Sequence, residues 1–156
     1  MKKLMRLVLA AILAVAMAVP CCAAGFSFAW NGTEFSVGDD AETVLDDLGK
    51  ANKVYQQSSL VYQGKYTVYS YDEFELSIFP DGIGNVISDI YIPSGSAAST
   101  PEGLHVGSTK EEMVRIYGSG FKRSGDVCRY TRGGSSLLVY LKGDAVDRIE
   151  YQLKAE

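Results

Sequence analysis

Apolar and polar residues alternate from Phe26 to Val37 on both sides of an Asn31-Gly32 pair. Asn-Gly is the favoured centre of a two-residue type I′ turn, because both positions need positive φ. A loop of that length sets the register, with Trp30 facing Thr33, Phe28 facing Phe35 and Phe26 facing Val37. Side chains alternate along a strand, so these residues share one face while Ser27, Ala29, Glu34 and Ser36 take the other. The pattern predicts an N-terminal β-hairpin with an aromatic face to bury.

The period then changes to that of a helix. Ala41, Val44, Leu45 and Leu48 stand at i, i+3, i+4 and i+7. The stretch Gly38–Gly49 recurs without a gap as Gly107–Gly118, where Met113, Val114 and Tyr117 fill the matching stripe. Asp39 with Glu42, and Ser108 with Glu111, have the spacing of a capping box. Gly49 and Gly118 sit where a helix end favours a left-handed residue. Helices this short are marginal alone and need a sheet to pack on.

Strand patterns follow each helix. They cover Leu60–Tyr62, Tyr66–Tyr71, Glu73–Phe79 and Val86–Ile92 after the first, with Pro80-Asp81-Gly82 in a turn. After the second they cover Val127–Thr131, Ser136–Lys142 and Ala145–Leu153, with Gly133-Gly134 and Gly143-Asp144 in turns. Tyr71 to Ile90 has the spacing of Tyr130 to Ile149, so the duplication runs past the helices. In the last strand Val146, Arg148, Glu150 and Gln152 alternate with Ala145, Ile149, Tyr151 and Leu153. The first set is assigned to water and the second to the helix side, as in a one-sided antiparallel sheet. The same alternation places Ile87, Asp89 and Tyr91 on the open face, and Tyr91 matches Glu150 of the second copy.

The expected fold is therefore α+β: two tandem units, each a short helix packed on one face of an antiparallel β-sheet, preceded by the hairpin. The first unit spans 25–92 and the second 101–156, joined by a linker at 93–100 rich in Ser, Gly and Ala. Whether the two sheets join is left open by the pattern.

Residues 1–24 have a different character. Lys2, Lys3 and Arg6 precede the uncharged run Leu7–Val19, then Pro20 and the small residues Cys21, Cys22, Ala23 and Ala24. This is the layout of a bacterial secretory signal cleaved after Ala24. The run is short of the ~20 apolar residues that cross a bilayer. Lipidation at Cys21 or Cys22, which would anchor the protein at the cell surface, is the alternative. Cleavage takes away three cations and no acid, moving the formal charge from −4 to −7. Such a chain gains nothing from phosphate attraction, which excludes nucleic acid as the expected partner.

Chemistry is sparse beyond residue 24. Cys128 alone remains there, too few for a disulfide or a zinc site. Arg129 beside it would lower a thiol pKa, but a structural strand cysteine is the expected role. His105 is the only histidine, between Leu104 and Val106 on the solvated side of its strand. No Gly-x-Ser-x-Gly elbow and no EF-hand loop occurs. Asp39, Asp40, Asp46 and Asp47 are assigned to helix capping and a solvated helix face. Gly82-Ile83-Gly84 and Gly133-Gly134 lead into no helix, so tight hairpins account for them rather than phosphate cradling. No catalytic set, cofactor or metal is expected. A hydrolase built on paired carboxylates is the remaining enzymatic alternative.

Tyrosine is the strongest functional signal. Tyr62, Tyr66, Tyr69, Tyr71, Tyr91, Tyr130 and Tyr140 fall in or beside strands. Tyrosine suits both strands and binding hot spots.

The glycine-bounded motif Gly38–Gly49, repeated as Gly107–Gly118 and followed by strands in each copy, resembles the superfamily of the β-lactamase inhibitor protein and the SmpA/OmlA-type outer-membrane assembly lipoproteins. The resemblance implies tandem α/β units and a generic protein-binding role. The inhibitor's disulfide in each repeat has no counterpart here, and no family site residue is carried over. The expected function is that of an exported bacterial binding module. Its open sheet face, with Tyr91, Asp89, Arg148 and Glu150, would recognise another protein or a cell-envelope component. A purely structural envelope role is a further alternative.

Overall fold

The computed structural model describes residues 25–58, 64–79 and 85–154. The expected signal with Cys21 and Cys22, the strand at Leu60–Tyr62 and the turn at Pro80–Gly82 lie outside the described residues.

The hairpin forms as its turn dictates. Strands β1 (Ser27–Trp30) and β2 (Thr33–Ser36) pair with Phe28 opposite Phe35 and Trp30 opposite Thr33. Asn31 and Gly32 both have positive φ, at 48° and 87°. Phe26, Phe28, Phe35 and Val37 are buried. Phe28 meets Phe74 edge-on at 5.0 Å and Tyr151 at 6.1 Å, so the aromatic face is a lid on a larger sheet.

That sheet has eight antiparallel strands in the order β3-β4-β5-β6-β10-β9-β8-β7. Its strands are β3 (Lys53–Ser58), β4 (Lys65–Ser70), β5 (Glu75–Ile78) and β6 (Ile87–Ile92), then β7 (Lys122–Ser124), β8 (Val127–Arg132), β9 (Ser135–Lys142) and β10 (Ala145–Leu153). Helix α1 (Ala41–Leu48) precedes β3 and helix α2 (Lys110–Tyr117) precedes β7. The α+β expectation of two helix-on-sheet units is thereby corrected. The described chain is mostly strand, with two helices, one eight-stranded sheet and the two-stranded hairpin.

The reason lies in the pairing of β6 with β10. Ile92 faces Ile149, Tyr91 faces Glu150, Ile90 faces Tyr151 and Asp89 faces Gln152. Two sheets kept apart would each leave a long apolar edge strand with unpaired amides. Joining them satisfies both edges and merges the apolar rows Ile90–Ile92 and Ile149–Tyr151 into one core. The strands left at the edges, β3 and β7, are polar and mostly exposed.

One face of the sheet is covered. Leu76, Ile90, Ile92, Leu137, Val139, Ile149 and Tyr151 are buried beneath the hairpin, with Ala41 and Val44 of α1 and Met113 of α2 in the same cluster. The segment expected as a linker joins this packing. Ala98 and Thr100 are buried, and the Ser96 hydroxyl donates to the Glu73 carbonyl at 2.8 Å. The Tyr151 hydroxyl is buried with no hydrogen-bond partner among the described residues, a local cost in an apolar setting.

The two helices are held by the same hydrogen bonds. Gly38 N–H donates to Ile87 O and Gly107 N–H to Val146 O, both at 2.7 Å. Ile87 N–H donates back to Asp39 O, and Val146 N–H to Ser108 O. Gly38 and Gly107 turn into these contacts with φ of 95° and 94°, a conformation that L side chains rarely adopt. The N-caps fall one residue later than expected. Asp40 accepts from Thr43 N–H, and Thr109 forms a full capping box with Glu112. Asp39 and Ser108 instead accept from the backbone N–H groups of Ser36 and His105, closing the preceding turns.

Bulges overturn three face assignments, among them that of Ala145, which was expected on the helix side and is exposed. Register shifts fall at Ser77/Ile78 against β6 and between Val146 and Arg148 in β10. An extra residue reverses which side the next side chain takes. Ile87 and Val146, both expected on the open face, are therefore in the core, at 0% and 2% exposure. Ser88 is buried within its bulge and donates to Ser77 O at 3.0 Å.

Candidate functional site

The sheet's second face carries no covering element among the described residues. Direct cross-strand partners share a face, so the register assigns it residue by residue. From one edge run Tyr55 and Gln57, then Tyr66 and Val68, Glu75 and Ser77, and Asp89 and Tyr91. Across the central pairing come Arg148, Glu150 and Gln152, then Leu138 and Tyr140, Arg129, and Lys122. The four residues expected from sequence, Tyr91, Asp89, Arg148 and Glu150, are brought together on this face by β6 and β10, and all are half-buried.

The half built from β3 to β6 is concave. A groove of about 380 Å³ is lined by residues including Tyr66, Val68, Glu75, Asp89, Tyr91 and Glu150. Ser77 sits opposite Asp89 and leaves room between larger neighbours. Val68, 2% exposed, forms an apolar floor outside the main core cluster.

Electrostatically the groove is acidic and unbalanced. Burial pushes the Asp89 carboxyl up to about 6, the Ser88 hydrogen bond opposes this, and the nearby Glu150 charge adds to it. Glu150 accepts from Tyr140 Oη at 2.7 Å and from Gln152 Nε2 at 2.8 Å. Glu75 accepts from Tyr55 Oη at 3.1 Å. Among the described residues the ion pair found is Arg132–Glu102, away from this face. The nearest cations rest on rings instead: Arg148 lies 4.3 Å from the Tyr140 ring centre and Lys53 lies 4.9 Å from that of Tyr55.

The other half is filled and basic. Tyr140 stands beside Arg148 on β10, where Ser77 stands beside Asp89 on β6. Lys122 is directly opposite Arg129, and Lys142 lies at the end of β9 on the same side. Burial, reinforced by the hydrogen bond to Glu150, raises the Tyr140 hydroxyl to about 12, so it remains a donor.

The remaining tyrosines divide. Tyr69 lies opposite Leu76 on the covered face. Tyr71 stacks on Phe74 at 4.9 Å and donates to Gly49 O at 3.2 Å. Tyr130 is buried and donates to Gly118 O at 2.8 Å. Tyr66, Tyr91 and Tyr140 belong to the open face, and Tyr62 lies outside the described residues. Tyr66 is among the tyrosines that carry the functional signal in the sequence, whereas Glu75, Val68 and Ser77 are not expected as site residues, because the groove requires knowing that β5 lies between β4 and β6. Their alternation within each strand was the available signal.

Other chemistry is dispersed. His105 is exposed, with Nδ1 2.9 Å from Val106 O. Cys128 is wholly buried, and burial raises its thiol pKa despite the positive charges of Arg123 and Lys110. Among the described residues no group of three or more His, Cys, Asp or Glu is placed to hold a metal ion, and no helix is long and apolar enough to cross a membrane.

No family model, curated protein or solved structure matches this chain. The resemblance to the inhibitor superfamily thus rests on the two glycine-bounded motifs alone.

Proposed function

We propose that the protein is an exported binding module that docks another protein or a cell-envelope component on the open face of its eight-stranded sheet. The observation that carries this reading is the contrast between the two faces. One is sealed by the hairpin and both helices, while the other presents Tyr66, Tyr91 and Tyr140 among charges of both signs. Eight strands about 4.8 Å apart and about six residues long span about 750 Å², close to the about 800 Å² each partner contributes to a standard interface. Tyrosines would supply buried area and the charges would set orientation. Export rests on the pattern of residues 1–24, and membrane attachment on lipidation at Cys21 or Cys22. The test is capture from the native cell envelope with wild type and the folded Tyr91→Ala/Arg148→Ala variant. A partner lost by the variant supports the open face, and one retained equally removes it.

A second reading has one observation in its favour. Asp89, raised to about 6, faces an acidic neighbour, Glu150, within a groove. A carboxyl raised by burial beside a second carboxylate is one arrangement that a carboxylate hydrolase uses. Turnover of envelope glycans that is abolished in both Asp89→Asn and Glu150→Gln would favour this reading over docking.

A further inference from the structure

We infer that the groove receives a lysine or arginine side chain of the docked protein, seated among Glu75, Asp89 and Glu150, while acidic residues of the same partner meet the basic half of the face. This deepens the docking reading and rests on it.

Several independent features of the face converge on that occupant. The first is shape. The groove of about 380 Å³ has an apolar floor at Val68 and aromatic walls at Tyr66 and Tyr91. It is at the small end of the about 300–1,000 Å³ range of ligand clefts, suited to one long side chain with an apolar stem and a polar head. The second is the charge segregation. Glu75, Asp89 and Glu150 lie on the groove half, with Lys53 on its edge strand over the Tyr55 ring, whereas Lys122, Arg129, Lys142 and Arg148 lie on the other. A partner surface divided in the opposite sense fits in one orientation and is repelled when reversed.

The third is that the chain's own cations do not neutralise the groove. Arg148 and Lys53 rest on tyrosine rings, and no ion pair to these carboxylates occurs among the described residues. Asp89 is held in a desolvated position beside a like charge, a cost that a docked cation would offset. Arginine fits better than lysine, because a planar guanidinium can bridge carboxylates and lie against a tyrosine ring.

Proton linkage follows from the groups that face Asp89. These are Ser77 and Glu75 from β5, Gln152 and Glu150 from β10, Tyr91 on its own strand and Tyr66 from β4. Burial first and the Glu150 charge after it favour the protonated form of Asp89, the Ser88 hydrogen bond opposes them, and a docked cation favours the ionised form. Cation affinity is therefore expected to fall as pH drops from 7.5 through about 6.

The experiment uses the exported protein and a tri-arginine peptide, with a tri-glutamate peptide as counterpart, followed by amide and side-chain NMR shifts. The expected result is saturable tri-arginine shifts at Val68, Glu75, Asp89, Tyr91 and Glu150. Affinity should fall at least tenfold in Glu75→Gln/Glu150→Gln and severalfold between pH 7.5 and 5. Tri-glutamate should instead shift Arg129 and Lys142. The denaturation midpoint of each variant establishes that it is folded, and Asp89→Asn provides a second, single-site variant. Tri-arginine shifts confined to Asp39, Asp40, Asp46 and Asp47, or affinity unchanged in both variants, would overturn the proposal. A native partner lost by Tyr91→Ala/Arg148→Ala, together with no groove response to tri-arginine, would leave docking standing and this inference refuted. Loss of neither would refute both.

Discussion

The two halves of the sheet share one covered face and differ on the open one. Ile90 and Ile92 of β6 correspond to Ile149 and Tyr151 of β10, and all are buried. Ile87 and Val146 enter the core just before equivalent bulges, and the turn before each helix makes the same backbone hydrogen bonds. At equivalent open-face positions of the two repeats, Asp89 in the first is replaced by Arg148 in the second and Tyr91 by Glu150. Ser77 leaves a groove where Tyr140 fills the equivalent space. Packing density constrains the covered positions, whereas the open positions are constrained by whatever they meet. The difference locates the fold on one side of the sheet and the proposed function on the other.

The largest expected effect breaks the covered face. Phe74 is 1% exposed and contacts Phe28, Trp30, Phe35 and Tyr71. Phe74→Ala should cost about 3–5 kcal/mol in chemical denaturation, whereas Tyr91→Ala should cost far less. Comparable losses would erase the contrast between the faces. A smaller effect sharpens the likeness of the halves. Thr109→Ala removes the cap of α2 and should cost about 1 kcal/mol. Asp40→Ala should destabilise α1 in the same direction, and a neutral result in either would mean that the halves are not held alike.

Two further substitutions should stabilise. Tyr151→Phe removes a buried hydroxyl that has no partner among the described residues and should gain about 1 kcal/mol in denaturation. A loss of that size would reveal a partner for the hydroxyl. Asp89→Asn tests the strain placed on the groove. Because the folded carboxyl titrates near 6, above its ordinary value of 3.8, the folded state binds this proton more tightly. Wild type should therefore gain stability from this group as pH falls from above 6 towards 4, and Asp89→Asn should be more stable than wild type at pH 7.5. That advantage should shrink by pH 4, and stability curves of the two proteins running parallel across this range would contradict it. Asp40 has the opposite sign. Its hydrogen bonds from Thr43 hold the carboxyl below the usual range, so its contribution is present above pH 4 and lost on further acidification.

Much of the covered side was legible in the residues. The Asn31-Gly32 turn dictates a register that alternation independently demands, and the observed hairpin has it. The strand Ala145–Leu153 falls within its expected bounds, and both helices lie inside their glycine-bounded motifs. Strand order was not legible. Alternation reports which residues share a face, but any apolar strand can pair with any other, so only the observed pairing of β6 with β10 answers whether the two sheets join. The edge strands β3 and β7 escaped notice because neither carries apolar alternation. Bulges at Ser88 and Asp147 have no pattern of their own, so Ile87 and Val146 were placed on the wrong side. The four site residues fell on one face because they follow the bulges and lie on the two strands that pair. The rest of the groove depends on strand order and remained hidden.

Filling the groove tests the central claim most directly. Ser77→Tyr places on β5 the residue that Tyr140 supplies on the other half, leaving the covered face untouched. Capture of the native partner by immobilised wild type and Ser77→Tyr should differ at least tenfold, with the denaturation midpoint unchanged. Equal capture by the two folded proteins would contradict the assignment of function to this face.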